Sequence, residues 1–137
     1  MYEDMNALYS GAMTQYMPTE ILGKVDSEEV LDIQSIAPDA KIGYTLEIDL
    51  EVPVHLHDFF ADYPLASEKQ LVPENWLSLY NERLVQDKAV GDGKYVSGEK
   101  LLQTLYTKKN YVVHYRALQT YLKFGMKITK IHSALKF

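Results

Sequence analysis

Tyr44-Thr45-Leu46-Glu47-Ile48-Asp49-Leu50-Glu51 decides the fold. Tyr44, Leu46, Ile48 and Leu50 alternate with polar residues, a period of two that gives a β-strand one apolar face. Pro53 closes the strand, since proline cannot donate to a ladder. Glu47, Asp49 and Glu51 share the opposite face, where like charges at this spacing read as a solvated sheet surface.

Working outward, Tyr111–Tyr115 (YVVHY) is a second β-rich run. Arg116–Phe124 is helix-like, and Gly125 stands where a left-handed cap would stop that helix. Met126, Ile128 and Ile131 predict a strand from Met126 to about His132. Near the start, Tyr2–Asp4 reads as the end of a strand. Leu8, Ala12, Gln15 and Tyr16 fall at helical spacing within Leu8–Met17, with Pro18 as terminator. From Val54 to Gly98 periodicity breaks down under Pro64, Pro73 and Gly91-Asp92-Gly93, leaving one short helix from Pro73 to about Val85. The class expected is α+β: a mostly antiparallel sheet from residues 42–52, 111–115 and 126–132, helices beside it, and an irregular insertion at about 53–110 that is not a second domain.

With 137 residues the chain is one domain's length. It has no cysteine, which excludes a disulfide framework and a thiolate metal site. No apolar run approaches the roughly 20 residues that span a bilayer, and acidic residues, not a basic and then apolar stretch, follow Met1. A soluble intracellular protein with no membrane partner is expected. Charge is unevenly spread: from Tyr95 to Phe137 eight basic residues face the single acid Glu99, a net +7 in a chain whose total is −5. Tyr95, Tyr106, Tyr111, Tyr115 and Tyr121 are interleaved with them. Lysines on phosphates and rings on bases make a nucleic-acid surface; a solvated basic face against the acidic half is the equal alternative on charge alone.

Asp4-Met5-Asn6-Ala7-Leu8-Tyr9-Ser10-Gly11-Ala12 carries the chemistry. Tyr2–Pro18 (YEDMNALYSGAMTQYMP) resembles the motif A segment of the protein-primed family B DNA polymerases of viruses, linear organellar plasmids and Polinton or Maverick elements, whose pattern is Asp-x-x-(Ser/Asn)-Leu-Tyr-(Gly/Pro). Ile42–Glu68 is similar to that family's strand and following loop, with its His-Asp and Asp-Tyr-Pro-Leu-Ala pieces, and residues 111–137 resemble the segment just before the fingers. The resemblance implies a partial polymerase palm taking a DNA template–primer, deoxynucleoside triphosphates, Mg2+ and a terminal priming protein. Asp4 would hold metal, with the Met5 carbonyl beside it. The Asn6 turn and the Ala7 and Leu8 amides would hold the triphosphate, and Tyr9 would gate the sugar. Tyr115, Arg116, Lys127, Lys130 and Lys136 would face DNA, and the insertion would touch the priming protein.

Ala7 departs from the family's Ser or Asn, and Ser10-Gly11 stands where many relatives have Gly-Trp. Neither the fingers pattern Lys-x-x-x-Asn-Ser-x-Tyr-Gly nor Tyr-x-Asp-Thr-Asp-Ser, source of the second metal-binding aspartate, occurs in these residues, nor does an exonuclease domain. One aspartate does not hold two ions, so the chain alone is expected to be inactive. The competing class is a non-catalytic DNA- or protein-binding remnant of a mobile element.

Two lesser features are weighed beside these. His55-Leu56-His57-Asp58 would aim both imidazoles one way on a strand, but without third and fourth ligands hydrogen-bonded loop histidines are favoured over a metal site. His114, beside Arg116, fits backbone contact with DNA and packing of a β–α junction equally well. Neutralising Lys127, Lys130 and Lys136 together should flatten the salt dependence of duplex binding by about 0.9 in slope for every phosphate these lysines neutralise, read by fluorescence anisotropy across a sodium chloride series; an unchanged slope removes these lysines from the DNA surface.

Overall fold

The alternation of residues 44–51 places this strand inside a four-stranded antiparallel sheet. The computed structural model describes residues 6–25, 32–90 and 93–137. In chain order the elements are α1 (Leu8–Met13), β1 (Gly23–Val25), β2 (Tyr44–Glu51), α2 (His57–Ala61), β3 (Glu68–Leu71), α3 (Leu79–Gln86), β4 (Glu99–Leu102), β5 (Lys108–His114), α4 (Tyr115–Lys123) and β6 (Lys127–Lys136). They fall into two compact units, Met1–His57 with Tyr106–Phe137, and Asp58–Leu105.

In the first unit the sheet order is β1-β6-β2-β5. Leu46, Ile48 and Leu50 are fully buried on β2, together with Leu118 of α4. Val113, Met126 and Ala134 complete this core with Ile33. Each of the leucine, isoleucine, valine and methionine side chains removed from water stabilises the fold by about 1.5–3 kcal/mol. α4 is tied down by Gln119, whose amide nitrogen donates to the Ile33 and Ile36 carbonyls, both at 2.8 Å. It ends as the glycine predicted: Gly125 has φ +97°, and a Cβ there would meet Leu56 Cδ1 at 2.6 Å. β6 runs four residues past the expected His132, and β1, which pairs with its far end, was not foreseen.

The stretch read as irregular carries the second unit. β3 and β4 pair antiparallel from Glu68 opposite Leu102 to Leu71 opposite Glu99. The Tyr95 hydroxyl donates to the Val72 carbonyl at 2.8 Å. The helix expected from Pro73 splits: a 3-10 turn at Glu74–Trp76 precedes α3, whose Ser78 cap accepts from the Asn81 N–H at 3.3 Å. Near the start, the helix expected to reach Met17 stops at Met13. None of its residues is buried, so packing rewards no further turns. The Tyr2–Asp4 strand and the Gly91-Asp92 part of the expected turn lie outside the described residues.

Leu118→Ala, which deletes a fully buried side chain above β2, should cost about 2–5 kcal/mol; the urea unfolding midpoint at pH 7 measures it.

Candidate functional site

The turn expected after Asp4 is present at Asn6–Ala7, while Asp4 and Met5 lie outside the described residues. Ala7 takes the left-handed conformation at φ 57°, ψ 39°, and its carbonyl accepts from the Gly11 N–H at 2.9 Å as α1 begins. Asparagine tolerates this conformation better than alanine. Leu8 and Tyr9 follow on the first turn of α1, both exposed, Tyr9 at 84%. The segment thus presents its turn and its tyrosine outward.

A second constellation was not foreseen. Asp49 is only 6% exposed although it lies on the face read as solvated. Both neighbouring strands bulge beside it. On β5, Lys109 and Asn110 stand against Asp49 alone, with Asn110 left-handed at φ 52°. On β6 the register slips once at His132 and again at Thr129. The Asp49 carboxylate accepts from Lys109 Nζ at 2.8 Å, the Asn110 N–H at 3.1 Å and His132 Nε2 at 2.8 Å. Glu47 beside it accepts from Asn110 Nδ2 at 2.8 Å and the Ser133 hydroxyl at 3.0 Å. Bonds from Lys109, then His132 and the Asn110 N–H, hold the Asp49 carboxyl well below the usual carboxylate range. Bonds from Asn110 and Ser133 lower Glu47. The solvated-face reading therefore fails for Asp49, whose charge is consumed by its neighbours.

The expected DNA-facing residues separate. Lys127 and Lys130 are exposed on β6 and Lys136 is half-buried at its end. Tyr115 is 4% exposed, so its ring belongs to the core and offers almost no surface to DNA. Arg116 is half-buried and lines a cleft of about 90 Å³ with Lys41, Gly43, His114, Tyr115 and Phe137. His114 caps α4: its Nδ1 accepts from the Arg116 N–H at 3.3 Å. Burial, then the Arg116 charge, pushes the His114 pKa down and favours the neutral ring, whose proton is on Nε2 because Nδ1 accepts from Arg116. His55 and His57 sit on a 3-10 turn and the start of α2, not on a strand, and His57 Nε2 donates to the Val52 carbonyl at 3.0 Å. Among the described residues no three His, Asp or Glu side chains are grouped to hold a metal ion.

No family model, curated protein or solved structure matches the chain.

Folding lowers the proton affinity of Asp49 and Glu47, so the unfolded chain protonates first as pH drops. The stability they supply is complete above about pH 5 and drains as pH falls through about 4. Urea midpoints measured from pH 7 to pH 3 should fall accordingly. Asp49→Asn should begin from a lower midpoint and show a shallower fall; parallel curves for the two proteins would refute the assignment.

Proposed function

We propose that this chain is part of the palm of a DNA-directed DNA polymerase of the protein-primed family B kind, contributing to template-directed nucleotidyl transfer from deoxynucleoside triphosphates. The observation that carries the reading is the Asn6–Ala7 turn. In sequence it begins two residues after Asp4; it opens into α1 and leaves Leu8 and Tyr9 exposed, the residues this reading assigns to triphosphate and sugar. A mostly antiparallel sheet with flanking helices, interrupted between β2 and β5 by a separate unit, is in keeping with a palm that carries an insertion. On this reading the insertion contacts the priming protein, and Lys127, Lys130 and Arg116 contact the template–primer.

Magnesium is part of the proposed chemistry, but the described residues do not fit a two-ion site. Asp49 and Glu47 are already engaged by hydrogen bonds from Lys109, Asn110, His132 and Ser133. That leaves Asp4 as the one carboxylate assigned to metal. A non-catalytic DNA-binding remnant is the second reading, favoured by this scarcity of ligands beside a cleft lined by cations and aromatic rings.

The two readings part at Asp4. The DNA flanking this reading frame should continue in frame into Lys-x-x-x-Asn-Ser-x-Tyr-Gly and Tyr-x-Asp-Thr-Asp-Ser. In that longer polypeptide Asp4→Ala should abolish incorporation of labelled deoxynucleotide on a primed template while DNA binding persists. Undiminished incorporation, or absence of those motifs, overturns the polymerase reading.

A further inference from the structure

The cleft beside α4 is built from distant parts of the chain. Gly43 and Phe137 exchange backbone hydrogen bonds at 2.9 and 3.0 Å, extending the β2–β6 ladder by one pair. Their closeness needs the glycine: a Cβ at residue 43 would fall 2.4 Å from Phe137 Cε2 and 2.9 Å from Tyr115 Cε1. The Phe137 ring lies over this floor, stacked on His114 with centroids 5.5 Å apart. The wall carrying Lys41 follows the 3-10 turn at Ile33–Ser35, which Gln119 of α4 holds by two carbonyls. Tyr16, 81% exposed, stands at the rim.

The charged side chains offered to this space, Lys41 and Arg116, are donors. Lys41 and Arg116 have no carboxylate partner among the described residues, and no acidic side chain lines the cleft. His114 spends Nδ1 on the Arg116 N–H, which leaves Nε2–H without a protein acceptor among the described residues. Two cations and a neutral N–H donor around a small space beside aromatic rings match the oxygens of a phosphate. The enclosed volume of about 90 Å³ has room for one phosphate group.

We propose that Lys41, Arg116 and His114 bind a backbone phosphate of a single DNA strand, with an unstacked base of the same strand against the Tyr16 rim. The choice of DNA as the source of the phosphate rests on the polymerase reading; the donor chemistry of the cleft does not.

The test uses the full chain and a fluorescent single-stranded oligodeoxynucleotide, with binding measured by anisotropy across a sodium chloride series. Lys41→Gln combined with Arg116→Gln should weaken binding and make the salt slope shallower by about 0.7, the value for one single-strand phosphate charge no longer neutralised. Gly43→Ala, which displaces the Phe137 ring and alters no charge, should weaken binding and leave the slope nearly intact. Inorganic phosphate alone should shift the His114 imidazole resonances in the parent chain and not in the double variant. If the strand still binds and the double variant keeps the parent slope, the cleft is overturned and the polymerase reading stands, because Lys127 and Lys130 would then carry the strand. If the slope falls as expected but Asp4→Ala leaves synthesis intact, the polymerase reading fails and the cleft survives as a binding site. Inorganic phosphate shifting His114 while no strand binds overturns DNA as the source.

Discussion

One carboxylate holds three strands in register. Asp49 sits mid-strand on β2, and the strands on either side, β5 and β6, are both out of step with it. A bulge leaves backbone groups unpaired and bends the strand that carries it. Here the residues displaced by the bulges are the ones that reach Asp49: the Asn110 N–H and Lys109 ammonium from one side, the His132 ring from the other. Glu47 repeats the arrangement one step along, taking the Asn110 amide and the Ser133 hydroxyl. With the apolar face of β2 closed by Leu46, Ile48 and Leu50, the strand is committed on both sides.

The same bulge also shapes the edge of the sheet. β5 is the outer strand next to β2, and an unpaired edge is a template for unwanted pairing. Lys109, Asn110 and the left-handed turn of Asn110 interrupt that edge with a charge and a kink. At the other side β1 is only three residues long, too short to recruit a foreign strand readily.

What could be read from the residues was whatever depended on neighbours in sequence. β2 was legible because eight residues alternate without a break. α4 and its end were legible because Gly125 marks the stop. The turn at Asn6–Ala7 was legible from the short Asp-to-Tyr segment. What escaped was decided across the sheet. β1 is too short to show a period, and the bulges at Asn110, Thr129 and His132 exist only relative to a partner strand. The Asp49 network joins residues 60, 61 and 83 positions apart, so nothing near Asp49 in sequence distinguishes it from the half-buried Glu47 and Glu51 beside it. The cleft escaped for the same reason: Lys41 and Phe137 are brought together by the β2–β6 ladder and the Gly43–Phe137 pair that extends it.

The insertion between β2 and β5 has a consequence for how the chain folds. These strands are partners in the sheet, yet Asp58–Leu105 lies between them in sequence. Joining the ends of a floppy loop costs entropy that rises with its length, by about 0.6 kcal/mol per doubling. If the inserted unit acquires its own structure first, the effective loop shortens to the residues at its two ends. Every partner of β2 lies between Lys108 and Lys136, so this sheet is built from distant pairings, the kind that make folding slow. An early-forming insertion would then act as a clasp, bringing β5 within reach of β2 before α4 and β6 close the core over it.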